Sequence, residues 1–163
     1  MSFADRMLPA LTFESEIIDR LNRTGWRAWP FGQGQLPDDC RKQLGKFEDL
    51  SRRPTLLRWM PDILAIGDVV ALIDAKTSRG NTPNYSLELS AIETANVYAD
   101  QLYTPTFFVF EGWQVLTPRD ARQRGRVGPD PAPGRGSGTP YVLVDKRWAR
   151  PFDEFFPPVQ VTT

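Results

Sequence analysis

RWMPDILAIGDVVALIDAKTS, residues Arg58 to Ser78, decides how this chain is read. Two apolar runs meet at Gly67-Asp68, a turn dipeptide, so the stretch predicts two strands folded back on each other, about Leu57 to Ile66 and Val69 to Lys76, with the glycine at positive φ. Asp62, Asp74 and Lys76 are set into these runs. Strand alternation puts Asp62 on a face with Leu64 and Ile66, and Asp74 and Lys76 on a face with Val70 and Leu72. A strict two-residue loop would set residue 62 opposite 73 and turn Asp74 to the other side. A three-residue loop, Gly67 to Val69, or a one-residue bulge brings both carboxylates onto one face, so a shared site demands one of these.

Two carboxylates close together on an apolar sheet repel each other and lose solvation. Such a pair persists where a cation compensates it, either a hard divalent ion such as Mg²⁺ or a nearby ammonium, and Lys76 stands two residues from Asp74 on the same face. The spacing equally fits a satisfied salt bridge at a strand end, or one aspartate turned to solvent. An earlier segment shifts the balance. TFESEIIDRLNRTG predicts a helix with Thr12 as N-cap and Gly25 as its stop, and Phe13, Ile17, Ile18 and Leu21 form its apolar stripe. Glu16 pairs along the polar face with Arg20. Glu14 instead falls on the apolar stripe and is expected to face the sheet, although a helix-start acid favoured by the dipole has the same position.

The rest of the chain supplies fewer signals. WRAWPF predicts a short strand, and FGQGQLPDDCRKQLGKFEDLSRRP a long polar connection with room for a short helix. After the turn-rich SRGNTPNYS, a helix is expected from about Ala91 to Leu102, with Ser90 and Glu93 at capping-box spacing. TFFVF reads as a buried central strand, and WQVL and YVLVD as further strands. Between the last two lies RQRGRVGPDPAPGRGSGTP, whose Gly, Pro and Arg content predicts a loop without a core. RPFDEFFPP is expected to pack on the body as a tail. A single domain over residues 1–163 follows from the length, with its core at about 13–110, and C-terminal strands, a loop at 125–140 and an aromatic tail in 111–163.

Composition excludes much chemistry. The chain has no histidine and one cysteine, Cys40, which removes Ser-His-Asp and Cys-His catalysis, histidine-metal sites and multi-cysteine zinc sites together. Glycine clusters FGQGQ and GRGSG lack the Gly-Lys-Ser/Thr of a phosphate-cradling loop. No apolar run is long enough for a membrane span and no signal peptide is legible, so the expectation is a cytoplasmic protein without a membrane partner. Net charge is zero, yet residues 41–58 carry six basic and two acidic groups, and residues 112–150 carry eight and three. Local basic surfaces on a neutral protein suit a polyanion, and solvated loops with incidental arginines produce the same counts.

Taken in order, the residues resemble a known family. A helix with Glu14, a strand, Pro61-Asp62, eleven residues, Asp74-Ala75-Lys76, then a helix and an apolar strand is similar to the PD-(D/E)XK nuclease superfamily. The resemblance covers roughly Phe13 to Phe110. Phe13-Glu14 before a helix, with Gly25-Trp26 following, looks most like the archaeal Holliday junction resolvase and Mrr-like branches. It implies an α/β fold of restriction-endonuclease type, a central mixed β-sheet flanked by helices on an αβββαβ core. It further implies that Asp62 and Asp74 bind Mg²⁺ (Mn²⁺ substituting) with the Ala75 carbonyl, that Glu14 assists directly or through water, and that Lys76 positions or activates the attacking water. Asp74 is aspartate where the family more often has glutamate. A helix glutamine common in the family has Glu93 in about its place, which is left out of the expected site. The implied activity is divalent-metal-dependent hydrolysis of DNA, with branched junctions among the substrates and recombination, repair or phage DNA processing as the setting. A homodimer is the expected form for cutting two strands.

The chemistry supports the same division of labour. Phosphodiester hydrolysis needs a cation against the phosphate charge and a water of lowered pKa. Arg52, Arg53 and Arg58 before the motif, and Arg119, Arg122, Arg124 and Arg126 after it, are the expected DNA contacts, through phosphates rather than bases. A catalytically inactive nuclease fold serving as a DNA-binding module is the alternative.

Overall fold

A computed structural model of the chain describes residues 3–51, 56–77, 82–129 and 140–160. Helix α1 (Phe3–Arg23) leads into strand β1 (Arg27–Pro30), a short 3₁₀ turn and helix α2 (Asp38–Ser51). Strands β2 (Ile63–Ile66), β3 (Val70–Lys76) and β4 (Asn84–Glu88) follow, then helix α3 (Leu89–Gln101) and strands β5 (Thr106–Phe110) and β6 (Gln114–Leu116). Helix α4 (Pro118–Arg124), strands β7 (Arg126–Val127), β8 (Tyr141–Asp145) and β9 (Arg150–Pro151), and helix α5 (Phe152–Phe155) complete the order. The main sheet runs β1-β2-β3-β5-β6-β9 and a second runs β4-β8-β7. In the main sheet β3 and β5 are parallel while β1-β2, β2-β3, β5-β6 and β6-β9 are antiparallel, so it is mixed, as expected for this fold class.

The parallel pair needs a crossover, and β4 and α3 supply it. Alternation along β5 then explains the apolar run that follows Thr106: Val109 joins a core with α1, β1, β2, β3 and the C-terminal segment, whereas Phe108 and Phe110 join a second core with α3, β4 and β8. Each face of the main sheet therefore has its own apolar layer. Among the described residues, no helix is long and apolar enough to cross a membrane.

Several local expectations are corrected. Thr12 lies inside α1, which begins at Phe3, so it is no N-cap. Gly25 does end that helix: at φ 90°, it permits Trp26 N–H to reach Leu21 O at 3.1 Å and Gly25 N–H to reach Asn22 O at 3.4 Å, a Schellman closure. Strand β2 is shorter than its apolar run because residues 56–59 form turns. Helix α3 is preceded by Glu88, and Ser90 stands within it, so the capping box is not made. The turn-rich stretch before α3 contains β4, whose pairing with β8, more than fifty residues later, has no local signature. The expected loop at 125–140 starts as β7, paired with β8 at Arg126–Leu143, and residues 130–139 lie outside the described set. Thr117 caps α4 by accepting from Asp120 N–H, with Pro118 in its first turn, a helix the sequence reading passed over.

The decisive turn has three residues. Ile66 pairs with Val70, leaving Gly67, Asp68 and Val69 as the connection, closed by Gly67 N–H to Val69 O at 3.0 Å. Gly67 does not adopt positive φ; among the described glycines only Gly25 and Gly112 do. Its requirement is space, because a Cβ at Gly67 would stand 2.7 Å from Cδ2 and Cε3 of Trp26. That ring cannot yield easily: it is 2% exposed, packs edge-on against Phe156, and donates from Nε1 to Pro157 O at 2.8 Å. Gly67→Ala is therefore expected to destabilise the fold by about 1–3 kcal/mol, read by chemical denaturation, and an unchanged midpoint would refute the overpacking argument.

Candidate metal and phosphodiester site

The three-residue turn sets the site's parity. Ile63 pairs with Ile73, so one further step of the same register brings Asp62 against Asp74. Asp62 lies just before β2, and its N–H donates to Ile73 O at 2.9 Å. Its Oδ2 accepts the N–H of Ala75 at 2.9 Å, doing at the end of the ladder what a strand carbonyl does within it. Asp62 is thus anchored to the same three-residue run that carries Asp74 and Lys76.

Asp74 is only 8% exposed. Its neighbours in register on β5 explain the dryness: Asp74 lies beside Phe108 and Lys76 beside Phe110, and Phe110 stacks on Tyr85 with ring centroids 3.7 Å apart. In that setting a carboxylate requires a partner, and Lys76 Nζ stands 2.8 Å from Asp74 Oδ1. A second carboxylate approaches the same ammonium: Glu88 Oε2 is 3.8 Å from Lys76 Nζ. Sequence reasoning missed Glu88, since β4 was not legible and residue 88 gave no pattern of its own.

Electrostatics tie the acids together. Burial, then the charges of Asp74 and Glu14, push the Asp62 carboxyl well above the usual aspartate range, against the opposing pull of Lys76 and the Ala75 N–H. Burial, then the charge of Asp74, likewise raises the Glu14 carboxyl on α1. Burial alone would lower Lys76, but the charges of Asp74 and Glu88, the hydrogen bond to Asp74 and the charge of Asp62 together outweigh it, leaving the group firmly an ammonium. As arranged here, the Lys76 ammonium donates to Asp74 Oδ1.

These shifts have a sign for stability. Asp62 holds its proton more tightly folded than unfolded, so its contribution is most favourable below the unfolded value, about pH 4, and declines as pH rises through the folded value. Asp62→Asn keeps an oxygen for the Ala75 N–H and removes the repelling charge. In metal-free buffer at pH 7 the variant is expected to melt a few degrees above the parent, with the gap closing toward about pH 4. Thermal melts across that range check it, and identical curves would refute the repulsion.

Asp62, Asp74 and Lys76 come together, then, from the start of β2 and the end of β3, and the charge of Glu14 on α1 is felt at Asp62. Among the described residues, no group of three or more Asp, Glu, His or Cys side chains is placed to hold a metal ion. The donor set nonetheless suits a hard cation in its chemistry: carboxylate oxygens in mutual repulsion, with one oxygen of Asp74 turned to an ammonium and one of Asp62 to a main-chain N–H.

The arginines are placed differently. Arg119, Arg122 and Arg124 lie on α4 and Arg126 on β7, all exposed, with Arg124 stacked 3.7 Å over Trp148. Arg122 lines a groove of about 460 Å³ between α3 and the α4–β7 segment, together with the acids Glu93 and Asp100 and without Glu14, Asp62 or Asp74. Arg58 pairs with Glu48 at 2.8 Å, which ties it to α2 and offsets its charge. Arg52 and Arg53 lie outside the described residues.

Comparison with known proteins gives a structural likeness. The chain superimposes on the Holliday junction resolvase Hjc of Archaeoglobus fulgidus, from an archaeal hyperthermophile, with a TM-score of 0.57 over 93% of this chain and 98% of that one, at 12% identity. No family model and no curated protein matches the sequence. The likeness establishes the fold: a mixed sheet flanked by helices, in the arrangement of that nuclease.

Proposed function

We propose that this protein is a divalent-metal-dependent DNA endonuclease. The observation that carries the reading is the convergence of Asp62, Asp74 and Lys76 through a three-residue turn, with Glu14 electrostatically coupled from α1, on a fold shared with a Holliday junction resolvase. Asp62 and Asp74, with the Ala75 carbonyl and Glu14, would hold Mg²⁺ or Mn²⁺. A cation bound there supplies positive charge against the phosphate and makes a water acidic enough to attack it.

The chain's own residues supply the rest. Lys76 directs its ammonium at a phosphate oxygen or the entering water and stabilises charge that develops on phosphorus. Phe108, Phe110 and Tyr85 keep that side of the site dry, which strengthens each charge interaction. The exposed arginines of α4 and β7 hold DNA through its phosphates, independently of sequence. Branched DNA is the favoured substrate class, and two copies acting together would cut both strands of a junction.

The test is incubation of linear, nicked and four-way-branched DNA with Mg²⁺ or Mn²⁺. Cleavage that requires the metal supports the reading, and preference for the branched form supports the substrate class. Binding without cleavage under both metals would establish the alternative, an inactive nuclease fold that serves as a DNA-binding module.

A further inference from the structure

Glu88 has a position that its own helix does not explain. It precedes α3 with extended backbone (φ −62°, ψ 136°), yet its side chain makes no capping hydrogen bond. The second sheet fixes its main chain: Glu88 pairs with Tyr141 on β8, and the next residue donates from Leu89 N to Pro140 O at 2.9 Å. What the carboxylate does reach is Lys76, at 3.8 Å, while the same ammonium contacts Asp74 at 2.8 Å. One lysine therefore stands between a near acceptor and a slightly farther one on a different sheet.

The near acceptor is also an expected metal ligand, and this creates a conflict. An ammonium and a divalent cation on one carboxylate repel each other, and a dry site does little to screen them. We propose that Glu88 is a positioning residue that receives the Lys76 ammonium when a divalent cation occupies Asp74, so that metal binding and lysine placement are coupled. This rests on the metal-dependent reading above. Without Glu88, Lys76 would have to remain on Asp74 in competition with the metal or move away from the site. Glu88 thus acts through Lys76, and its removal weakens metal binding only while Lys76 is present.

Titration calorimetry with MgCl₂ and MnCl₂, without DNA, tests this on the parent chain, Glu88→Gln, Lys76→Ala and the double variant. Glu88→Gln is expected to weaken cation binding by about tenfold, a coupling within the usual range for interacting side chains. Added to Lys76→Ala, it is expected to change affinity by less than about twofold. Equal affinity in the parent and Glu88→Gln would overturn the role of Glu88, as would an equal loss in both backgrounds, which would mark simple charge attraction. Absence of binding in all four proteins would overturn the metal site itself, and the role of Glu88 with it. The partly exposed position of Glu88 makes misfolding a small concern, and Glu88→Ala, checked by circular dichroism, must reproduce the affinity of Glu88→Gln for the proposal to stand.

Discussion

Asp74→Ala is expected to lower metal-dependent DNA cleavage by about 10²- to 10⁴-fold while leaving the protein folded. Activity falls because Asp74 serves twice: as a metal donor on the proposed reading, and as the contact that holds Lys76 2.8 Å away. Stability should survive for a different reason. Removing this acid relieves repulsion on both Asp62 and Glu14, whose carboxyls are raised partly by its charge. Lys76 keeps Glu88 as a counter-charge. The measurement pairs a cleavage time course with a thermal melt. Full activity in the variant would remove Asp74 from the mechanism, and loss of activity accompanied by unfolding would make its role structural.

Phe156→Ala is expected to destabilise the protein by about 3–5 kcal/mol, a shift of about 10 °C in melting temperature. Phe156 is 1% exposed and meets Trp26 edge-on at 5.4 Å, Phe107 edge-on at 5.2 Å and Phe152 in a stack at 4.7 Å. The C-terminal segment is therefore part of the core beneath α1, held further by Arg20 to Asp153 at 2.8 Å and by Val159 N–H to Thr24 O at 2.9 Å. Truncation leaves a cavity among rigid rings that cannot collapse to fill it. Because Trp26 also presses on Gly67, the deleted ring loosens the turn that sets the site, and cleavage should fall at temperatures below the melt. A denaturation midpoint within experimental error of the parent would refute the tail's place in the core.

Legibility differed with the range of the interaction. The helix stripe of Phe13, Ile17 and Leu21, the buried character of TFFVF and the acids set into the Arg58–Ser78 stretch are local patterns, and all three appear in the fold. Parity left two arrangements open from the residues alone, since Gly67-Asp68 allows either a two- or a three-residue connection. The choice rests on register: Ile66 pairs with Val70, and Trp26, forty-one residues before Gly67, fills the space beside it. Glu14 was visible as an acid on an apolar stripe, whereas Glu88 was not visible at all, because β4 exists only by pairing with β8.

By itself, the sequence limited which chemistry is available: without histidine and with one cysteine, the side chains left to carry it are carboxylates and lysines, and the hard cation is part of the proposal. It also determined the order of helices and strands that carries Glu14, Asp62, Asp74 and Lys76. Only the tertiary structure decided which charges share one field. Hydrogen bonds between distant strands and packing of the C-terminal aromatic rings fix the register, and a slip of one residue would send Asp62 and Asp74 to opposite faces of the sheet.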